Sequence, residues 1–234
     1  MTDELFRTDA YLKSCTAVVV SSVDGAIQLN RTIFYPSGGG QPGDSGILRT
    51  QMGSELEIID TLKDEEGNII HVLAEDVKTF PDAGDEVTVE LNWERRHKHM
   101  RMHTCMHILC SLVAGDVTGG QVGVDKSRLD FNIPESPDKE KLEKEINRVI
   151  AENHPVSHSW ITDAELDASP ELVRTMSVSP PRGSGRVRII NVDGVDLQPC
   201  GGTHVKETSE IGPIRIGKIE NKGKQNRRIN IHFA

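Results

Sequence analysis

The sequence predicts an α+β protein. Residues 1–92 read as a small N-terminal β-barrel, and residues 93–234 as an α+β domain whose mostly antiparallel sheet is flanked by helices. Three observations carry this reading. Up to residue 92, short β-branched runs alternate with tight turns, the pattern of a small barrel or sandwich. At Trp93 the apolar spacing changes to three or four residues (Met102, Met106, Leu109, Val113), as a helix requires. Further on, helices and hairpin-connected strands are segregated rather than alternating, which distinguishes α+β from a parallel sheet.

The elements follow in order. Residues 3–13 are polar with a few apolar positions and read as a leading turn or short strand. Residues 16–23 form a strand, Asp24-Gly25 a hairpin turn, and Ala26–Leu29 the returning strand. Residues 31–35 make another short strand that runs into Pro36-Ser-Gly-Gly-Gly-Gln-Pro-Gly-Asp44. That stretch is no P-loop, because it lacks the Gly-Lys-Ser/Thr ending and leads into no helix pattern. Its three successive glycines leave backbone N–H groups bare to an approaching ligand. Strands continue at 47–48, 55–62, Ile69–Leu73 and Glu86–Leu91, with turns at 66–68 and 82–84.

The helix from Trp93 stops at Gly115. Residues 118–123 form a loop or kinked strand that continues into 128–131. Ser136 caps a helix with Pro137 in its first turn; Leu142, Ile146, Val149 and Ile150 form its apolar face, and it ends before Pro155. Val156–Ile161 is a strand, 163–176 a helix interrupted near Pro170, and 177–185 a Pro/Gly/Ser loop. The remaining strands lie at 186–192, 214–220 and 227–233.

Composition narrows the function classes. A chain of 234 residues is long enough for two modest cores. No apolar run reaches membrane-spanning length, and the polar, acidic start shows no secretory signal. Cys15, Cys105, Cys110 and Cys200 outline no disulfide framework, so a reduced, cytoplasmic setting is expected. A formal charge of −9 argues against a general nucleic-acid coat protein. From Gly212 onward, however, six basic residues stand against one acid, which makes a local positive strip on an acidic body.

Two motifs carry chemistry. In Arg101-Met-His103-Thr104-Cys105-Met106-His107 the histidines at i and i+4 share one helical face. In Gln198-Pro-Cys200-Gly-Gly-Thr-His204 a thiol and a third imidazole flank a Gly-Gly turn. Each half alone has a plainer explanation: histidines cap, pair and pack, as expected for His97 and His99, and a lone cysteine is often a small core residue. Together His103, His107, Cys200 and His204 make a four-ligand set suited to a zinc ion (Zn2+).

His103-Thr-Cys-Met-His107 with Cys200-Gly-Gly-Thr-His204 resembles the editing module of alanyl- and threonyl-tRNA synthetases, and most of all the free-standing AlaX trans-editing proteins. Phe34-Tyr-Pro-Ser-Gly-Gly-Gly-Gln-Pro-Gly-Asp44, Asp196-Leu-Gln-Pro-Cys200 and Lys222-Gly-Lys-Gln-Asn-Arg-Arg228 are similar to that group as well, so the likeness spans the chain. No ATP-binding or adenylation module is expected. The resemblance implies hydrolysis of the ester joining serine, or glycine, to the terminal adenosine of alanine tRNA. Zinc at the four positions above could polarise the carbonyl or activate a bound water. Four protein ligands leave no vacant tetrahedral position, so water activation would require five-coordination or loss of a ligand. Zinc is therefore expected to orient the substrate while a nearby water attacks. No carboxylate stands out as the general base.

By analogy, Thr118 and then Gln121 would discriminate serine from alanine. Gly39, Gly40, Gln41, Lys222, Lys224, Arg227 and Arg228 would meet the tRNA. Rejecting an analogue that lacks a hydroxyl requires a polar partner for that hydroxyl, which can be worth ~10⁴–10⁵ in kcat/KM. Thr104 lies about 100° round the helix from His103 and ranks below both. The alternatives are a non-catalytic tRNA-binding module with a structural zinc, and a hydrolase of some small ester unrelated to tRNA.

Overall fold

The computed structural model describes residues 2–23, 25–77, 79–176 and 185–234. The expected loop at 177–185 lies, but for Gly185, outside them, as does Asp24 of the first hairpin. The chain divides into two compact units, Met1–His97 and Lys98–Ala234.

In the first unit, β1 (Asp3–Glu4) pairs in parallel with β4 (Arg31–Thr32). β2 (Ser14–Val23), β3 (Ala26–Leu29), β5 (Gly46–Thr50), β6 (Glu55–Lys63), β7 (Ile69–Leu73) and β8 (Glu86–Leu91) close an antiparallel barrel in the order β2-β3-β7-β6-β5-β8. Period-two alternation explains the closure. Val87, Val89 and Leu91 of β8 turn inward with Leu48, Leu56, Ile58, Val19 and Ile27, while the intervening residues of β8 face solvent.

The strand expected at 31–35 stops at Thr32, because side chains capture the backbone beyond it. Phe34 N donates to Thr32 Oγ1 at 3.0 Å, and Tyr35 N donates to Asp44 Oδ2 at 2.6 Å.

His71 is fully enclosed by this barrel. Its Nδ1–H donates to the Ile27 carbonyl at 2.9 Å, so Nε2 accepts from the Thr32 hydroxyl at 2.8 Å. Burial pushes its pKa down to about 4 against an ordinary 6.5. The unfolded chain therefore binds the extra proton as pH falls through 6.5, and stability is lost progressively until pH 4. The loss is on the order of 3 kcal/mol. His71→Gln keeps one donor and one acceptor, and is expected to flatten the dependence of Tm on pH across that window. A wild-type Tm with no slope there would refute the account.

In the second unit, α1 (Trp93–Leu112, its first five residues counted with the first unit) is followed by β9 (Val117–Gln121) and β10 (Lys126–Asn132). Next come α2 (Lys139–Ala151), β11 (Val156–Ile161), α3 (Asp163–Asp167), β12 (Val187–Val192), β13 (Asp196–Pro199), β14 (Ile214–Gly223) and β15 (Asn226–Phe233). They form two antiparallel sheets, β14-β15-β10-β9 and β11-β12-β13, so the α+β expectation holds.

Two expected boundaries move. The cap of α2 is Asp138, not Ser136: its carboxylate accepts from Lys141 N at 3.0 Å and sits at the positive end of the helix. The helix expected over 163–176 ends at Asp167, and only a 3-10 turn follows at Pro170–Leu172. Beyond it the chain extends along β9, and Arg174 donates to the carbonyls of Cys110 at 2.6 Å and Val113 at 2.9 Å. That guanidinium satisfies orphan acceptors at the C-terminal end of α1. α2 likewise covers the open edge of β14: Asn147 bonds both Ile214 N and Ile214 O, and Glu143 accepts from Ile216 N. Among the described residues no helix is long and apolar enough to cross a membrane.

Candidate metal centre

The two distant motifs meet. One donor atom from each of His103, His107, Cys200 and His204 lies within 4.8 Å of the others. α1 supplies the first two, one turn apart, and the loop after β13 supplies the others. Cys200 Sγ is 3.5 Å from His103 Nε2 and 3.3 Å from His204 Nε2. Nitrogen and sulfur ligands on a tetrahedral zinc, with bonds of ~2.0 and ~2.3 Å, stand about 3.5 Å apart. Donor chemistry and spacing therefore both fit such an ion. The histidines keep only 6–7% exposure and Cys200 is half-buried, so the cluster lies just beneath the surface.

A layer of side chains behind the donors aims them. The Nδ1–H of His107 donates to Asp196 Oδ2 at 2.7 Å, which turns Nε2 toward the cluster. Gln198 holds that carboxylate through bonds of 2.8 and 2.9 Å to its two oxygens. Thr104 gives its proton to Met100 O at 3.0 Å and so accepts from His204 Nδ1 at 3.2 Å and Val205 N at 3.3 Å. The buried Arg188 of β12 donates to the carbonyls of Cys200 at 3.2 Å and Gly202 at 2.8 Å, pinning the loop, while Gly202 N donates to Cys200 Sγ at 3.4 Å.

Electrostatics match a cation's needs. Burial opposes ionisation of Cys200, but charge on His103 and His204, with hydrogen bonds from His103 and His107, holds the thiol well below its ordinary range. Burial, with the charge on His103, pushes His204 well down. Burial also disfavours the charged form of His107, yet the bonds to Asp196 and Cys200 carry it up to about 10. A thiolate among imidazoles is thus already favoured, and a cation held there would take the place of the shared protons.

The other sequence-predicted residues have partners or surroundings of their own. Thr118 Oγ1 bonds Asn226 Oδ1 at 3.3 Å and Gln121 pairs across the sheet with Arg128; neither hydrogen-bonds to the four donors. Gly39 and Gly40 occupy an exposed turn with φ of +57° and +82°, the positive values of a type I′ hairpin that side chains resist. Gln41 is buried beside it, its backbone paired with Gly38. Arg228 is held by Asp130 at 2.8 Å and Lys222 by Glu220 at 3.0 Å. Arg227 is buried, bonding the carbonyls of Pro134 and Gly223, and Lys224 remains exposed. His97 stacks on Trp93 and His99 is buried, as packing histidines. Sequence reading gave no role to Asp196, Gln198 or Arg188, and ranked Thr104 last.

Comparison with known proteins agrees with this architecture. The family described as "Threonyl and Alanyl tRNA synthetase second additional domain" matches residues 187–230, and "tRNA synthetases class II (A)" matches residues 8–95. The alanyl-tRNA editing protein AlaX-M of Methanosarcina acetivorans is 37% identical, with 98% of each chain covered. AlaX-M of Pyrococcus horikoshii is 34% identical over 99% of this chain and 97% of its own. The alanine–tRNA ligase of Sulfurisphaera tokodaii is 35% identical over 94% of this chain but only 25% of its own length. Likeness at this level over nearly the full length of both AlaX-M chains, joined to the converging His/Cys donors, places this chain in the alanyl-tRNA editing protein family.

Proposed function

We propose that the chain hydrolyses, in trans, the ester between serine or glycine and the terminal adenosine of alanine tRNA, using zinc at His103, His107, Cys200 and His204. The observation that carries this reading is the convergence of those four donors from motifs nearly a hundred residues apart. The match to a quarter of an alanine–tRNA ligase supports a separate proofreading module. When bound, zinc would supply Lewis-acid polarisation of the ester carbonyl and an anchor for the amino-acid end.

The chain's own residues do the rest. The Cys200 sulfur and three imidazoles present lone pairs to one point, Asp196 and Gln198 fix the ring of His107, and Thr104 fixes that of His204. The oxygens of Asp196 are taken up by His107 and Gln198, which makes it a positioning group rather than the base that receives the water's proton. Water is the nucleophile, and the free amino acid and intact tRNA are the products.

The test is deacylation of seryl-, glycyl- and alanyl-tRNA, each carrying the alanine acceptor stem. Wild type is expected to release serine rapidly and spare alanine, while His103→Ala loses activity. Binding of these tRNAs with no hydrolysis of any would favour a non-catalytic module with a structural metal.

A further inference from the structure

Of the basic strip near the C-terminus, Arg228 and Lys222 are neutralised within the fold and Arg227 is buried. Strand register gathers a different set of cations. Across β14, β15 and β10 it places Arg215 opposite His232 and His232 opposite Lys126. Directly opposed residues point to the same face of a sheet. The next rank, Ile216, Ile231 and Ser127, is buried, so the first rank stands on the outer face, where Arg215 and Lys126 are exposed. Gly217 leaves room for the imidazole: a Cβ there would lie 2.7 Å from His232 Nε2.

At the sheet edge Arg215 also lines a hollow of about 390 Å³ with Lys139 and Lys144 of α2. None of these four Lys and Arg residues forms an ion pair among the described residues. Glu140 and Glu143 line the same hollow, Glu143 accepting from the amide of Ile216, so its three cations outnumber its two carboxylates by one. Arg215 and Lys126 flank His232 from the two neighbouring strands; burial, and then their charges, lower its pKa, so the row holds two cations with a neutral imidazole between them. On a chain of net charge −9, an uncompensated row of this kind calls for an anionic counterpart. With strands ~4.8 Å apart, the row runs about 10 Å from β14 to β10, too long for one phosphate and suited to several in succession.

We propose that Lys126, Arg215, Lys139 and Lys144 form a docking surface for the phosphodiester backbone of the tRNA. The identity of the nucleic acid rests on the deacylase reading; the surface itself rests on the register. A Cβ at Gly120 would meet Leu129 and, at 3.3 Å, Met106 of α1, so α1 lies on the opposite face of this sheet. The surface therefore grips backbone remote from the esterified end, and it acts on binding rather than on the chemical step.

The experiment compares the full chain with Lys126→Glu/Arg215→Glu, titrated with uncharged alanine tRNA over a range of salt concentrations. Kd is expected to rise at least about tenfold, and the slope of log K against log salt to fall by about two, one for each phosphate that is no longer neutralised. The single-turnover rate on saturating seryl-tRNA should stay within about twofold, Tm should stay close to that of wild type because both side chains are exposed, and Lys126→Arg/Arg215→Lys should retain binding. Unchanged Kd and salt slope in the Glu variant would overturn the proposal, as would a collapsed saturating rate with Kd intact. The deacylase reading fails differently, through a wild type that binds tRNA and leaves the seryl ester whole.

Discussion

Replacing Cys200 by alanine is expected to yield a chain with no tightly held zinc that deacylates seryl-tRNA about 10³-fold more slowly, the several kcal/mol that Lewis-acid assistance contributes. Its sulfur lies within 3.5 Å of two of the imidazoles and is the group already poised to ionise. Removing it leaves three nitrogens, and deletes the acceptor that Gly202 N and the neighbouring rings share. The backbone of the loop is held separately by Arg188 through the carbonyls of Cys200 and Gly202, so it should keep its path in the variant. That separation makes the experiment informative, because metal and activity are lost while the fold persists. Metal analysis should find about one zinc per wild-type chain and far less in the variant. Because a metal that binds only the folded state stabilises it, added zinc should raise the wild-type Tm and leave that of Cys200→Ala unmoved. A variant that retained stoichiometric zinc, or its rate, would remove the metal centre from the mechanism.

The four donors were legible because each pair is set by local geometry: one helical turn between His103 and His107, one tight loop between Cys200 and His204. The groups that aim them were not. Asp196 reaches His107 only because β12 and β13 pair in a register that sequence does not encode locally. A helical wheel measured Thr104 against His103, but its partner is His204, which arrives from the other end of the domain. Charge counting found the basic strip, yet which cations stay open depends on cross-strand neighbours: Asp130 falls opposite Arg228, whereas Arg215 and Lys126 flank His232. The barrel was readable from period-two alternation. The early end of the strand at Thr32 was not, since the groups that divert the chain are side chains of Thr32 and Asp44.

Arg96→Met is expected to destabilise the chain by about 3–5 kcal/mol, a large share of the ~5–15 kcal/mol typical of a domain. The guanidinium and the Asp44 carboxylate are 0% and 1% exposed. Arg96 Nε bonds both Asp44 oxygens at 2.9 and 3.1 Å, Nη1 donates to Ala10 O at 3.0 Å, and Nη2 donates to Ile33 O at 2.6 Å as well as to Asp44. Methionine fills similar space but strands a buried carboxylate and two carbonyls, and that desolvation cost is where the loss arises. Asp44→Asn should cost a comparable amount, because it leaves the buried guanidinium without its counter-charge and puts an NH2 donor where a carboxylate oxygen accepted. Arg49→Ala should fall within about 1 kcal/mol, because its partners Glu55 and Glu90 are half-exposed and water screens them. Urea unfolding of the three variants orders these costs. If Arg96→Met cost no more than Arg49→Ala, the buried pair could not be what fixes the segment from Tyr35 to Asp44. The glycine turn would then owe its position to neutral hydrogen bonds alone: Ser37 N to Thr61 O at 2.8 Å, the Tyr35 hydroxyl to Gly38 O at 2.8 Å, and the pairing of Gly38 with Gln41 at 3.0 Å. A loop held only in that way would open far more readily than one tied to a desolvated ion pair, so hydrogen exchange at the amides of Gly38 and Gln41 in Arg96→Met gives a second reading of the same cost.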